Sequence, residues 1–325
     1  MSIVNSYFIL DIALHIECKD SWLNKKVTSV IRDYFCLSEN RLSTNTKSIT
    51  LQFRSDDNHI KVPTIAQELF SSTTLRVLKD GDICYLIRGN SIFKLNLEDN
   101  TGIGFIDPLF WEAPFKSQQE FFMLALIWLF RNNALYAIHG NTLVNENDGT
   151  IILGDSGSGK STAAIGLIRA GWKYLADDIA LLQDNCGTIE ALAFTTGFSI
   201  DPDLANRYEE FNLTTDKLSL NGQKKFLNIN DIYPDRFVSS CVPKTLIFSE
   251  IVPEDHSRLI PIDRTEALVR IAMNSGGIMI DKDGTIKQFD ILKKLIKQAS
   301  SYKLFAGRDI YKEPRTIAKI LLSAI

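Results

Sequence analysis

The chain contains 325 residues, of which 45% are hydrophobic and 23% charged, and its formal net charge is −3. This composition is typical of a globular protein of one or two domains and excludes fibrous and low-complexity chains. Without a basic excess we expect no nucleic-acid partner. We expect no membrane span either, because the longest apolar run, residues 121–130, cannot cross about 30 Å of hydrocarbon as a helix.

The cysteine and histidine spacing predicts neither a disulfide framework nor a zinc site. No two cysteines form a CxxC pair, and the four histidines are scattered. The amino terminus lacks the basic start and cleavage site of a signal peptide. We therefore expect a cytoplasmic protein with free thiols at Cys18, Cys36, Cys84, Cys186 and Cys241.

Residues 1–112 are predicted to form a small, β-rich α+β domain. One or two strands are expected over residues 7–17, followed by a helix over residues 22–35 that Ser21 can cap. Short strand-like runs then alternate with Asp80-Gly81 and Gly89-Asn90, which are typical hairpin turns. These runs, at residues 49–54, 74–78, 83–88 and 91–97, predict an antiparallel meander. The domain carries no chemical motif, and substrate recognition is one role open to it.

Residues 113–325 are predicted to form an α/β domain, with the boundary near residues 108–114. A capping box at Ser117–Gln–Gln–Glu120 predicts a buried helix to about Arg131, and strands and helices alternate after Tyr136. Further helices are expected to start at Asp201-Pro202 and at the Asp263 capping box, and after a turn at residues 281–284. Pro314 is expected to open the last helix.

The strongest motif is a phosphate-binding loop. It matches GxxxxGK[ST] in full, and an apolar strand precedes it at residues 150–153. An apolar helix follows to Ala170, where Gly171 is placed to end it. The loop glycines let backbone N–H groups surround phosphate oxygens, Lys160 can reach the β and γ phosphates, and the Ser161 hydroxyl can bind Mg²⁺. The predicted nucleotide-binding residues are Gly154, Asp155, Ser156, Gly157, Ser158, Gly159, Lys160, Ser161 and Thr162.

An aspartate pair, Asp177-Asp178, follows Lys160 by only 17 and 18 residues. The intervening helix, turn and strand predict that the pair lies on a strand beside that of the phosphate loop. Apolar residues on both sides argue against an exposed turn. Because successive strand residues face opposite sides, the two carboxylates are expected to divide their roles, one acting on a metal and one on the acceptor.

His139 is the third candidate group. Residues 136–144 and 150–153 flank a predicted hairpin loop at residues 145–149. If Val144 pairs with Thr150, His139 lies opposite Asp155 at the mouth of the phosphate loop. A packed structural histidine is the alternative.

Together, Ile138-His139-Gly140, the GDSGSGKS loop at residues 154–161 and Leu175-Ala-Asp-Asp178 resemble the HPr kinase/phosphorylase family. Weaker similarity at residues 258–270 and 302–308 extends to HPr-kinase-related proteins of lasso-peptide and other modified-peptide gene clusters. The resemblance implies a catalytic domain like that of phosphoenolpyruvate carboxykinase and ATP- and Mg²⁺-dependent phosphorylation of a serine hydroxyl. It also implies that Asp177 is the base, that Asp178 and Ser161 lie near Mg²⁺, and that His139, with Lys160, acts at the transferred phosphate.

Two features depart from that family. Thr162 replaces the glutamate that follows GKS in the kinases, and the LRGLGII-type signature associated with phosphorolysis is not found. We therefore do not extend phosphorylase activity, HPr as substrate or the hexamer to this chain, and a homo-oligomer stays open. The predicted function is a kinase of a peptide or protein serine. The alternatives are a kinase of a small-molecule alcohol and a nucleotide-binding regulatory module without transfer activity.

Overall fold

The structure is a computed structural model and shows a mixed α/β fold. It describes residues 2–38, 47–54, 60–200, 206–212, 225–275, 282–313 and 315–324. The chain divides into two compact units, Met1–Leu135 and Tyr136–Ile325. In the described part of the chain, no helix is long and apolar enough to cross a membrane.

The first unit is built on one mixed sheet. Its strands are β1 (Ile3–Ile9), β2 (Ile12–Cys18), β3 (Lys47–Arg54), β4 (Gln67–Ser71), β5 (Arg76–Asp80), β6 (Ile83–Arg88), β7 (Ser91–Asn96) and β8 (Thr101–Phe105). They lie in the order β1-β2-β3-β8-β7-β6-β5-β4. The predicted meander is confirmed from β5 to β7, where Gly81 and Gly89 adopt positive φ in the turns. An antiparallel arrangement throughout is wrong, because β3 lies between β2 and β8 and is parallel to both.

Two helices and a short 3₁₀ helix, Pro108–Glu112, complete the described part of this unit. Helix α1 spans Ser21–Tyr34, and its cap is Asp20 rather than the predicted Ser21, because the Asp20 carboxylate accepts from the Leu23 amide at 2.8 Å. Helix α2 spans Phe115–Arg131 and follows Pro114. The predicted capping box at its start is therefore wrong, since Ser117 and Glu120 lie inside the helix.

Helix α2 belongs to the first compact unit, although it follows the predicted domain boundary near residues 108–114. Its apolar residues Phe121 and Phe122 pack on the sheet, with the Phe122 ring stacked 5.6 Å from Phe53 and the Phe121 ring 4.8 Å from Phe93. The apolar character of the helix on nearly all sides thus reflects burial against the β-rich unit.

The second unit is built on a larger sheet. Its first strands are β9 (Tyr136–His139), β10 (Asn141–Asn145), β11 (Asp148–Leu153), β12 (Lys173–Ala176), β13 (Ile179–Asn185) and β14 (Thr188–Ala193). A hairpin of β15 (Gly197–Ile200) and β16 (Lys225–Asn228) stands apart, and β17 (Ser240–Ile251), β18 (Arg258–Pro261) and β19 (Ser300–Ala306) complete the sheet. The order is β12-β10-β11-β17-β14-β13-β9, with β19 parallel to β17 and β18 at the edge beyond it.

The helices of the second unit are α3 (Lys160–Arg169), α4 (Glu209–Asn212), α5 (Ile229–Ile232), α6 (Arg264–Ser275), α7 (Lys282–Gln298), α8 (Arg308–Lys312) and α9 (Thr316–Ala324). Helix α3 is buried between the sheet and the last two helices, in a core that includes Ile152, Ile165, Ile247, Ile310 and Leu321. This packing holds α3, and with it the loop at its amino end, on the central strands.

Predictions of the later helices had mixed outcomes. The Asp263 cap is confirmed, since its carboxylate accepts from the Thr265 and Glu266 amides at 2.8 and 2.9 Å. The predicted turn is wrong over residues 282–284, which lie in α7. The helix start predicted at Asp201-Pro202 and Pro314 itself lie outside the described residues.

Candidate functional site

The phosphate-type loop joins β11 to α3, as predicted, and its backbone requires glycine. Gly154, Gly157 and Gly159 have φ values of 145°, 80° and 89°, a region that residues with a Cβ rarely adopt. At Gly154 space is also decisive, because a Cβ there would lie 2.6 Å from both Ser158 Oγ and the Ser249 carbonyl oxygen. The sequence pattern thus encodes one tight turn between strand and helix.

Lys160 is folded back across this loop. Its side chain is buried, with 7% of the residue exposed, and its Nζ donates to the carbonyl oxygens of Gly154 at 2.7 Å and Asp155 at 2.9 Å. As the first residue of α3, it lies where the helix has unpaired N–H groups and the positive end of its dipole. The ammonium group and the helix end therefore converge on one place, which is the electrostatic requirement for binding phosphate.

The neighbouring parallel strand supports the loop. Leu153 pairs with Phe248 of β17, and the next residue, Ser249, donates its hydroxyl to the Ser158 carbonyl at 2.8 Å. On the other side of the loop, no atom of the described residues beyond its chain neighbours lies within 4 Å of the position of a Cβ at Gly157. The loop is thus held by β17 where it meets the sheet and has space at Gly157 within the described structure.

Asp177 and Asp178 form a tight connection between β12 and β13. Asp178 has a φ of 61°, and the Ile179 amide donates to the Asp177 carbonyl at 2.7 Å. The prediction that the pair lies on a strand beside that of the phosphate loop is wrong, because β12 ends at Ala176 and β10 lies between β12 and β11. The apolar flanks belong to two strands that pair with different neighbours, β12 with β10 and β13 with β9.

Asp177 is buried, with 5% of the residue exposed, and both of its carboxylate oxygens accept hydrogen bonds. Oδ1 accepts from Asn141 Nδ2 at 2.6 Å, and Oδ2 accepts from the Ser199 amide at 2.7 Å. Both donors are N–H groups, so Asp177 acts as the acceptor in both hydrogen bonds. Its carboxylate is therefore held from two sides.

Asp178 is the accessible member of the pair. Its side chain is 41% exposed, and Oδ1 lies 3.7 Å from Nε2 of His139, whose side chain is 38% exposed. The Asp178 carbonyl accepts from the Gly140 amide at 2.9 Å, which fixes the backbone of the connection against the start of β10. The structure therefore brings His139 and Asp178 together, in contact with solvent.

The predicted hairpin register, which set His139 opposite Asp155, is wrong. The pairing Asn145 with Asp148 leaves a two-residue turn in which Glu146 has a φ of 53°. Val144 consequently pairs with Gly149 rather than with Thr150. A two-residue turn of this kind matches strand twist better than the five-residue loop expected, and turn length determines register. His139 itself belongs to β9 and pairs with Ile179.

His139 and the aspartates nevertheless lie at the same edge of the sheet as the phosphate loop. Asn141 pairs with Ile152 near the end of β11, and a Cβ on Gly140 would lie 2.8 Å from the Ile152 carbonyl oxygen. Thr142 pairs with Ala176, which directly precedes Asp177. The start of β10 thus links the strand that enters the loop to the strand that ends at the aspartates.

The chemistry of the available ligands suits Mg²⁺ with nucleotide. Ser161 supplies a hydroxyl in the first turn of α3, and Asp178 supplies an accessible carboxylate. Mg²⁺ favours such oxygen ligands and usually takes only one or two protein carboxylates, completing its shell with phosphates and water. The described residues contain no group of three or more His, Cys, Asp or Glu that could hold a metal by themselves. Thr162 is buried within α3.

Three residues at the site were not predicted from the sequence. Asn141 and Ser249 are polar residues next to apolar runs in buried strands, and that contrast was the available signal. Ser199 contributes only its backbone amide, so no side-chain pattern could have identified it.

Comparison with known proteins identifies no family for this chain. No family model matches this chain, and no curated protein matches it. Among solved structures, the Hpr(Ser) kinase/phosphatase from Coxiella burnetii is similar to 57% of this chain and 94% of its own, at 14% identity and a TM-score of 0.32. A TM-score this low supports no conclusion, so the function is inferred from the site itself.

Proposed function

We propose that this protein is an ATP- and Mg²⁺-dependent kinase that transfers a phosphate to a hydroxyl group, with a serine of a peptide or protein as the acceptor. The observation that carries the proposal is the glycine loop folded around the buried Lys160 ammonium at the start of α3. The His139–Asp178 pair at the same sheet edge adds a group able to act on an acceptor.

Binding of the nucleotide phosphates is assigned to the loop and Lys160. Backbone N–H groups of residues 154–161 and the amino end of α3 surround an anion, and Lys160 Nζ exchanges its carbonyl contacts for phosphate oxygens. Phosphoryl transfer depends mainly on positioning and on neutralising charge, and these residues supply both. Mg²⁺ bound with the nucleotide would add charge neutralisation at the phosphates, and Ser161 is the residue that would hold it.

We propose Asp178 as the general base. The resemblance assigned that role to Asp177, but a base must reach the acceptor hydroxyl, and Asp178 is the exposed carboxylate while Asp177 is buried with both oxygens bonded. In the transfer step the acceptor oxygen bonds to the γ-phosphorus, its proton passes to the Asp178 carboxylate, and the bond from phosphorus to the bridging oxygen breaks to release ADP. His139, close to Asp178, is placed to orient that carboxylate.

The resemblance implied a different role for Asp178, in which its carboxylate lies near Mg²⁺. This role competes with that of the general base. This metal-binding role is supported by the exposure of the Asp178 carboxylate and by its position at the same edge of the sheet as the loop that carries Ser161. The two roles differ in their effect on binding, because a metal ligand contributes before the transfer step and a base does not.

Two other functions remain as alternatives. A small-molecule alcohol would need the same phosphate and base groups, so only the acceptor differs. A regulatory module would bind nucleotide without transferring phosphate, and it would not need an accessible carboxylate beside His139.

The test is to incubate the protein with γ-labelled ATP and Mg²⁺, first in water alone and then with pools of serine-containing peptides and of small alcohols. Transfer to peptide supports the proposal, and transfer only to an alcohol supports the second function. Binding of Mg²⁺-ATP without release or transfer of label under any condition supports the regulatory module. Lys160→Met is the matched control for background hydrolysis.

A further inference from the structure

Asn141 is an unusual residue for its position. It is fully buried at the start of β10, between Ile152 on one neighbouring strand and the end of β12 on the other. Its Nδ2 donates to Asp177 Oδ1 at 2.6 Å, and its Oδ1 is buried with no hydrogen-bond partner among the described residues. A buried amide oxygen without a partner destabilises a fold, so packing alone does not explain an asparagine here.

The orientation of this amide is determined by its partner. Turning it over would place Oδ1 against the Asp177 carboxylate, oxygen against oxygen, and would lose the only contact that the Nδ2 group makes in the described structure. The arrangement therefore favours the Asp177 contact even though it leaves the amide oxygen unpaired.

Asp177 in turn determines where Asp178 lies. Its second oxygen is held by the Ser199 amide, and its carbonyl accepts from Ile179, so the connection is held on both sides of Asp178. Asp178 adopts a φ of 61°, a left-handed conformation that aspartate tolerates better than most residues with a Cβ, and the contacts on either side hold it in this turn.

We propose that Asn141 is a positioning residue of the transfer site, which holds Asp177 and thereby keeps the Asp178 carboxylate beside His139. This inference rests on the proposed kinase function and extends it to a residue that does not touch the substrate. Loss of the Asn141 donor leaves the nucleotide loop in place but lets the connection move. A displacement of about 1 Å at a catalytic group can lower turnover about a hundredfold.

The experiment compares Asn141→Leu, which keeps the branched shape of the side chain and removes the donor, with Thr142→Val. Thr142 is the next residue of β10, is equally buried, and has a hydroxyl with no partner among the described residues. For each variant the KM for Mg²⁺-ATP, the kcat for transfer to water or a serine peptide, and the thermal shift on adding Mg²⁺-ATP are measured. Asn141→Ser, too short to reach Asp177, serves if the leucine variant does not fold.

We expect the Asn141 variants to keep the thermal shift and the KM while kcat falls between about ten- and a hundredfold, and Thr142→Val to behave as the parent protein. Adding Asp177→Asn to the Asn141 variant should cost little more, because residues that act as a unit are not additive.

A parent-like kcat in the Asn141 variants would overturn the inference while leaving the kinase proposal intact, and so would an equal loss in Thr142→Val. If the parent protein binds Mg²⁺-ATP but transfers phosphate to neither water nor peptide, the proposed function fails and the role of Asn141 fails with it. A changed KM with an unchanged kcat would place Asn141 in nucleotide binding, against this proposal.

Discussion

Replacing each aspartate of the pair by asparagine should separate stability from catalysis. Asp177→Asn places an amide where two donors, Asn141 Nδ2 and the Ser199 amide, now meet carboxylate oxygens. The new side chain has one oxygen for those two donors. The Asn141 amide can turn over so that its oxygen accepts from the new NH₂ group. Its Nδ2 then occupies the position that Asn141 Oδ1 has in the parent protein, where no hydrogen-bond partner lies among the described residues.

One buried donor is therefore left unsatisfied in either arrangement of Asp177→Asn. In the turned arrangement Asn141 Oδ1, which has no partner in the parent protein, gains one, so the main loss is that two hydrogen bonds to a carboxylate are replaced by weaker neutral ones. The expected cost is about 1–3 kcal/mol of unfolding free energy. For a unit of this size each kcal/mol lowers Tm by roughly 2–4 °C. The loss should be visible in thermal unfolding without any nucleotide.

Asp178→Asn should behave in the opposite way. Its side chain is 41% exposed, and exposed polar contacts such as the one with His139 contribute little. We expect its unfolding free energy to stay within about 0.5 kcal/mol of the parent value. Phosphate transfer should fall by at least about a hundredfold, the scale of general base catalysis, while Mg²⁺-ATP binding is retained.

The assay combines thermal unfolding, a Mg²⁺-ATP binding titration and turnover of labelled ATP on both variants. If Asp178→Asn turns over at the parent rate, its role as the base is refuted. If it loses Mg²⁺-dependent binding, Asp178 is the metal-side carboxylate. If Asp177→Asn is as stable as the parent, the hydrogen bonds of Asp177 with Asn141 and Ser199 do not stabilise the fold.

Three further predictions follow from single contacts. Lys160→Met should abolish most of the stabilisation by Mg²⁺-ATP, which is about 2.7 kcal/mol at a hundred times Kd, and an unchanged thermal shift would contradict the phosphate-loop assignment. Gly140→Ala should destabilise the fold by about 1–3 kcal/mol in chemical denaturation, because its Cβ would lie 2.8 Å from the Ile152 carbonyl oxygen. If the variant is as stable as the parent, β10 can move away from that oxygen. In the native protein a thiol reagent at neutral pH should modify the exposed Cys186 long before Cys18 and Cys241, since burial raises the pKa of both to about 12; equal rates measured by mass spectrometry would oppose this.

The parts of this protein that could be predicted from local sequence are those whose chemistry lies in one continuous stretch. The glycine spacing, Lys160 and Ser161 occur within eight residues, flanked by a strand and a helix whose periodicity is local, so the loop could be predicted in place and in conformation. The same holds for the Gly81 and Gly89 turns and for the Asp263 cap.

Local sequence could not predict which distant segments meet, because that depends on how the strands pair. Contacts between residues far apart in the chain determine the parallel insertion of β3, the order β12-β10-β11 and the packing of α2 on the β-rich unit. The hairpin register differed by one residue because a two-residue turn replaced a longer loop. His139 lies outside that hairpin, in β9, and the pairing of β9 with β13 brings it to Asp178. The contacts of Asp177 with Asn141 and Ser199 likewise follow from strand pairing, and local propensity carries no information about such pairing.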